Sequence, residues 1–327
     1  MPPSGQDITV VIPLYNRATL IGETLEAVLR QTQPAAGVIV IDDGSTDGSP
    51  EAVEQFGNSV RLIRNGKQGV QAARNTGIAQ AETDWIALCD SDDIWEPTWL
   101  EKLTALRRAA PEVDFVFGNF RTLRDGVVSP TTKFDDAPPG YWDKAQPIRM
   151  TEGWVFKTSL AGQTFTWHPI FPSAMAFSKG LIAKAGIFDS NLKGRSNEDG
   201  EFTLRLLYHA TTGVVPQPLV QIRKGLESVS SDQLKLLIDE IWSLDFVKRN
   251  HSEARPYIEV IDQEIVRRTI QAADLAFTTR DHALVRRLVK DVPRPLRPTK
   301  LNIKNFVASL PGPIGLPANS LLQRLGR

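Results

Sequence analysis

The stretch "WIALCDSDDIWEP", Trp85–Pro97, decides how this chain is read. "WIAL" is a short apolar run of the kind that forms a buried strand, and three carboxylates, Asp90, Asp92 and Asp93, follow it almost at once. Like charges this close repel one another unless something positive sits between them. A hard divalent cation such as Mg2+ or Mn2+ is one candidate, because it takes one or two carboxylates and completes its shell with water and phosphate oxygens. The D-x-D of Asp90-Ser91-Asp92 supplies two such groups with one residue to turn the chain. The plainer alternative is capping of the helix that Pro97 begins, but capping needs a single carboxylate.

Working outward, the same kind of run recurs. "ITVVIPL" (8–14), "VIVI" (38–41), "VRLI" (60–63) and "DFVFG" (114–118) are short and rich in Val and Ile. Between them the apolar spacing turns helical: Ile21, Leu25, Val28 and Leu29 share one face, as do Leu100, Leu103 and Leu106. Alternation of strand and helix predicts an α/β fold with a mostly parallel sheet covered on both faces. Ligands of such sheets bind in the loops after the carboxyl ends of strands. "IPLYNR" (12–17), "DDGSTDGS" (42–49) and "DSDD" (90–93) all fall there.

Four regions are expected. Residues 1–120 form the alternating half, and 121–230 form a second half that opens with a turn-rich, aromatic stretch and regains helical periodicity near 179–185 and 198–209. Within it, "GVVPQPLVQI" reads as a strand pair broken by prolines. Residues 231–291 are helix-rich, with Leu234, Leu237, Ile238, Ile241 and Trp242 on one stripe, and 292–327 read as an irregular Pro-rich basic tail.

The chain has 327 residues, 41% of them hydrophobic, and its 38 basic and 38 acidic side chains cancel. Bulk charge argues neither for nor against a nucleic-acid partner, and none is expected. From Arg280 onward, however, ten Lys or Arg face two Asp. A basic end on an otherwise acidic chain suits an anionic surface such as a phospholipid headgroup layer, or is simply a solvated end. Cys89 is the single cysteine, so no disulfide forms within the chain and a reducing cytoplasmic setting is expected. The N-terminal stretch lacks the pattern of a signal peptide, and no apolar run is long enough to span a bilayer. Attachment at the inner face of the membrane stays open.

Each loop has a structural and a chemical reading. Asp42 and Asp43 start a turn, or they accept hydrogen bonds from a base N–H or ribose hydroxyls. Gly69 opens a helix, "GVQAARNTGIAQA" (69–81), whose free N–H groups suit a phosphate. Arg74 on that helix is either exposed or set to neutralise a diphosphate. No phosphate-binding P-loop motif is present. In "SNEDGEFTLRLL" (196–207), Asn197 stands where a cap would, and Glu198, Asp199 and Glu201 fall in a first turn that favours acids. One of these acids is alternatively a general base. A helix start is expected to keep Asp199 ionised at neutral pH.

Taken in order, "VVIPLYNR", "IVIDDGSTD", "GVQAARNTGIAQA", "WIALCDSDDIWEP", "AGIFDSNLKGRSNEDGEFTLRLL" and "RKGLESVSS" resemble glycosyltransferase family 2, over roughly residues 8–230. The resemblance implies a GT-A, Rossmann-like fold with a helical C-terminal extension, 1–120 being the nucleotide-sugar half and 121–230 the acceptor half. It implies an inverting enzyme that moves a hexose or N-acetylhexosamine from a nucleotide diphosphate sugar to a saccharide or lipid-linked saccharide, with Mn2+ or Mg2+. Pro13, Tyr15, Asn16, Asp42, Asp43, Gly69, Arg74, Asp90 and Ser91 would line the nucleotide-sugar pocket. Asp92, with Asp90, would hold the metal, Asp199 would be the base, and Glu198 would orient it. Arg223 and Ser228–Ser230 match a late segment that closes over the diphosphate, although "KGLE" stands where that segment often carries a His. A polyprenyl-phosphate sugar synthase and an inactive sugar-nucleotide-binding scaffold are the alternatives; the Asp92 and Asp199 matches argue against the scaffold. A sugar-1-phosphate nucleotidyltransferase would need an N-terminal Gly-rich phosphate loop that is absent.

Overall fold

The computed structural model describes residues 7–66, 68–195, 197–225 and 233–310. The chain divides into two compact units, Met1–Ser228 and Val229–Arg327.

The first unit is built on strands β1 (Ile8–Leu14), β2 (Gly37–Asp42), β3 (Arg61–Arg64), β4 (Trp85–Leu88), β5 (Ile94–Trp95), β6 (Phe115–Arg124), β7 (Val127–Val128), β8 (Ile148–Arg149), β9 (Trp154–Phe156), β10 (Met175–Ser178) and β11 (Thr212–Arg223). Among the described residues they form one sheet in the order β3-β2-β1-β4-β10-β6-β11-β9-β8, with β5 against β11 and β7 against β6. The β3-β2-β1-β4 half is parallel, as is the long β6–β11 pair, while β10 runs antiparallel between β4 and β6. Helices α1 (Ile21–Leu29), α2 (Ser49–Glu54), α3 (Val70–Gln80), α4 (Trp99–Ala109), α5 (Ala161–Thr164), α6 (Lys179–Ala185) and α7 (Glu198–His209) join them. Every residue of β1 and β4 is buried, as a sheet covered on both faces requires. This is the GT-A architecture that the resemblance implied.

Two packing details set the site. Gly77 lets α3 lie directly on β1: a Cβ there would stand 2.2 Å from Val11 Cγ1. Met175 of β10 lies opposite Leu88 on one side and Phe117 on the other, so the carboxyl end of β4 and the first part of β6 share one level.

The expected strand pair at 213–222 is instead one strand, β11, whose pairing with β6 shifts register between Val215 and Pro218 and again before Val220. Proline lacks the N–H that a ladder needs, and a bulge accommodates it without ending the strand.

The second unit contains α8 (Gln233–Asn250), α9 (Ile258–Thr278), α10 (His282–Asp291) and α11 (Thr299–Ser309). Ala272, Ala273, Ala276, Phe277, Val285 and Leu288 form its core, against which Leu234, Leu237 and Ile241 of α8 pack. Of the irregular tail expected over 292–327, the described part to residue 310 is largely helical, and residues 311–327 lie outside the described residues. Leu301, Val307 and Ala308 give α11 a buried face, and Pro298 stands just before the helix, where a missing N–H costs nothing. Leu296, Ile303 and Phe306 remain exposed. Among the described residues no helix is long and apolar enough to cross a membrane.

Candidate active site

Three loops meet at the carboxyl edge of β1, β2 and β4, and hydrogen bonds join the first two. Asn16 takes a left-handed backbone, φ 50°, which asparagine tolerates better than most residues. Its N–H donates to Ser45 Oγ (3.0 Å), and its side-chain oxygen accepts from Thr46 N–H (2.8 Å). Arg17 N–H donates to Ser49 Oγ (2.7 Å) and Ala18 N–H to Asp47 (3.1 Å). Pro13 is buried within β1, and the Tyr15 ring just beyond it is 41% exposed.

The two aspartates of the second loop are turned inward. Asp42 accepts from Ser45 N–H at 3.1 Å, closing its own turn. Asp43 accepts from Gln68 N–H (2.9 Å), Gly69 N–H (2.7 Å) and the Asn65 side chain (3.2 Å). The start of α3 therefore already faces a carboxylate, and the phosphate expected opposite Gly69 has no opening at that N–H.

Each of the three carboxylates of the DSDD loop meets its own partners. Asp90 Oδ1 accepts from Arg74 Nη2 (2.8 Å), and Asp92 Oδ2 accepts from Arg17 Nε (3.0 Å). Asp93 is buried; it accepts from Ser173 Oγ and, at 2.7 Å, from Arg223 N–H. Ser173 Oγ also accepts from Asp90 N–H (2.8 Å), and its carbonyl accepts from Trp95 Nε1 (2.7 Å). Arg223 Nε donates to the Asp92 carbonyl (2.8 Å) and Nη2 to Glu23 (2.6 Å). Ser91 is buried in the turn. Burial, then Asp90, raises the pKa of Asp92 against the pull of Arg17. Asp93 lies well above the usual carboxylate range, because of burial first and then its two acidic neighbours.

Arg74 is the pivot. It is 3% exposed and joins Asp90 to Glu198, whose Oε1 accepts from Nη1 at 3.1 Å. Burial alone would lower its pKa, but Asp90, Glu198 and Asp199 together raise it above its usual value. Asp199 accepts from Gly200 N–H (2.9 Å). Asn197 holds the N-cap position of α7 without a side-chain cap bond. The Asp199 carboxyl is raised to about 7, by burial first and then by Glu198, with Arg74 opposing. This reverses the direction expected from the helix start: desolvation and a neighbouring acid outweigh the dipole.

The structure thus brings Asp90, Arg74, Glu198 and Asp199 together and links Asp92 to Arg17. Arg17, Glu23 and Ser173 were missed: the only sequence signal of Arg17 is its position after a strand end, Glu23 reads as an ordinary acid in the first turn of α1, and Ser173 has none. Ser228–Ser230 lie outside the described residues.

The family model described as "Glycosyl transferase family 2" matches residues 9–171. The chain belongs to this family. It is 28% identical over 71% of its length to "Putative glycosyltransferase EpsH" of Bacillus subtilis (strain 168), of which the match covers 65%, so the chain spans less than two thirds of that relative. Its fold is similar to that of S. aureus TarS 1-349 in complex with UDP-GlcNAc, with TM-score 0.59 and 18% identity, covering 92% of this chain and 89% of that one. A mannosyltransferase from Pyrobaculum calidifontis in complex with GDP-Man and Mn2+ gives TM-score 0.53 at 16% identity, covering 98% of this chain and 88% of that one.

The donor set of this family 2 chain fits a hard cation. Asp90 and Asp92 each give one carboxylate oxygen to an arginine, and no other described residue donates to Asp90 Oδ2 or Asp92 Oδ1. Asp93 is enclosed by Ser173 and Arg223 and is not available. Among the described residues no cluster of three or more His, Cys, Asp or Glu is arranged to hold a metal. Two carboxylates suit Mg2+ or Mn2+, whose other ligands come from phosphate and water.

Proposed function

We propose that this protein is an inverting glycosyltransferase that moves a hexose or N-acetylhexosamine from a nucleotide diphosphate sugar to a hydroxyl of a saccharide or lipid-linked saccharide. The observation that carries the reading is the Arg74 bridge, which ties the D-x-D loop to the helix start bearing Asp199. Asp90 and Asp92 would hold Mn2+ or Mg2+, which supplies neutralisation of the leaving diphosphate. Tyr15 offers a ring face to the base, and Pro13, Asn16, Asp42 and Asp43 shape the pocket around it. Gly69 and Ser91 contribute through loop geometry, and Arg223 holds the DSDD loop in place. Asp199 accepts the acceptor hydroxyl proton while that oxygen attacks the anomeric carbon from the face opposite the diphosphate. Glu198 raises the proton affinity of Asp199 and anchors Arg74. A carboxyl near 7 suits this task, since a base works best when its pKa is close to the operating pH. The same Asp199 environment favours a hydroxyl acceptor over the polyprenyl-phosphate alternative, because a phosphate acceptor needs no base.

We further propose that the protein works at the inner face of the membrane. Between Arg286 and Leu310 there are seven Lys or Arg against one acid, and Leu296, Ile303 and Phe306 are exposed among them. Apolar side chains among bases suit an anionic bilayer surface.

The test of the catalytic reading is product stereochemistry. Incubation with a panel of nucleotide sugars and Mn2+, followed by proton NMR, should show one donor consumed and its anomeric configuration inverted. Retention of configuration, or no donor consumed, contradicts it.

A further inference from the structure

Three cations of the first unit take no part in the arrangement above. Arg121 lies on β6, Lys133 lies in the 3-10 turn Lys133–Asp136, and Lys224 directly follows β11. All three are half-buried. Among the described residues none of them makes an ion pair or donates a side-chain hydrogen bond, and Arg121 Nε is fully enclosed without a partner. Two of them stand over aromatic rings. Lys133 Nζ stands 4.7 Å from the centre of the Trp167 ring and Lys224 Nζ stands 4.8 Å from that of Phe171. A ring face is a weak partner for a desolvated ammonium compared with an anion that accepts its hydrogen bonds. Burial first, and then Lys224 against the pull of Asp136, makes Lys133 easier to deprotonate. Asp135 is engaged with Thr132 N–H in a capping box and does not close on Arg121.

Their place in the fold links the two halves of the site. Lys224 N–H donates to Leu123 O (2.8 Å), one residue after Arg223 grips Asp92 and Asp93. Phe171 directly precedes the Pro172–Ser173 segment that holds Asp90 and Asp93. On the other side, His168, next to Trp167, has Nε2 2.8 Å from Thr203 Oγ1 on α7, the helix that begins with Glu198 and Asp199. Lys224 is therefore tied through its neighbour Arg223 to the D-x-D loop, and Lys133 through the Trp167 ring to the segment that meets the helix of the proposed base.

We propose that Arg121, Lys133 and Lys224 form a subsite for an anionic group on the acceptor, so that the acceptor is a saccharide bearing a phosphate or a carboxylate. This rests on the glycosyltransferase reading and names the acceptor class that reading leaves open. The donor diphosphate is the rival occupant. It already has Arg17, Arg74 and the proposed metal beside Asp90 and Asp92.

The test uses the full chain saturated with Mn2+ and whichever nucleoside diphosphate binds it, so that the donor pocket is filled. Glucose, glucose 6-phosphate and glucuronate are then titrated by ligand-observed NMR. The wild type should bind at least one of the two anionic sugars tenfold or more tightly than glucose, the better one telling phosphate from carboxylate. Lys133→Gln with Lys224→Gln should abolish that preference and leave nucleoside diphosphate affinity within twofold of wild type. Lys133→Arg with Lys224→Arg, which keeps the charges, should restore it. Equal or absent binding of all three sugars overturns the proposal, as does preference persisting in the Gln pair. A tenfold loss of nucleoside diphosphate affinity in the Gln pair assigns the cations to the donor and also overturns it. Failure of every nucleoside diphosphate to bind the wild type removes the underlying reading, a result distinct from the others.

Discussion

Arg74 donates to Glu198 at 3.1 Å across 124 positions of sequence while its other terminal nitrogen holds Asp90 at 2.8 Å. One buried guanidinium therefore fixes the distance between a loop that ends β4 and the helix start that carries Asp199. Removing one partner of a buried charge cluster leaves the others uncompensated and typically costs about 3–5 kcal/mol. Arg74→Ala should lose stability of about that size in urea unfolding. Arg74→Lys should fall between the two, because lysine keeps the charge but not the planar fork that reaches both carboxylates. Unfolding midpoints of the three proteins check this.

Asp199 supplies a pH prediction. Its carboxyl is raised to about 7 and must be ionised to accept a proton, so kcat/KM should rise with pH through that value and level off above it. Asp199→Asn should lower transfer by roughly 10²–10⁴-fold and remove the acid limb. The sign for stability is opposite. The folded state holds this proton more tightly than the unfolded chain, so the group's contribution is complete at acid pH and is lost as pH rises towards about 7. The melting temperature of Asp199→Asn should accordingly vary less with pH across that window than that of the wild type.

Much of this was legible beforehand, for physical reasons. Strand runs rich in Val and Ile, and helices with a 3.6-residue stripe, are local signals, so the alternating sheet and the loops at its carboxyl edge could be read directly. The fate of individual charges could not. The sequence asks what meets the charges of Asp90, Asp92 and Asp93, and the answer includes Arg74 on α3, Arg17 in the loop after β1 and the Ser173 hydroxyl just before β10, all distant in sequence. The Asp199 pKa was misjudged because a helix start is visible in sequence whereas desolvation and the position of Glu198 are not. Likewise, counting prolines after residue 292 hides the buried stripe of Leu301, Val307 and Ala308 that makes α11 a helix.

Ser173 is a residue that only the structure singles out. It is fully buried, and its hydroxyl accepts from Asp90 N–H and donates to Asp93. Ser173→Ala leaves both groups short of a partner, which typically costs about 1–3 kcal/mol. The affinity for nucleoside diphosphate in Mn2+ should weaken in this variant while the circular dichroism spectrum stays that of the wild type. Unchanged affinity and unchanged melting would show that the hydroxyl does not hold the loop.

The exposed Leu296, Ile303 and Phe306 and the bases around them lead to a sedimentation experiment. Leu296→Ser, Ile303→Ser and Phe306→Ser together should reduce co-sedimentation with vesicles rich in anionic lipid. Higher salt should weaken binding further, since each base near such a surface is worth about 1 kcal/mol before screening. Nucleotide binding should be unaffected. Equal sedimentation of both proteins, or of neither, would discard the membrane assignment.

The central claim is that the D-x-D loop holds a divalent cation together with a nucleotide diphosphate, and isothermal titration of nucleoside diphosphates tests it most directly. One nucleoside diphosphate should bind the wild type, with affinity at least tenfold higher in Mn2+ than in chelator. In Asp92→Asn the two conditions should give the same weak affinity, because a carboxylate that would hold the cation is gone. A wild type that binds equally well with and without Mn2+, or an Asp92→Asn variant that keeps the full Mn2+ enhancement, would contradict the account.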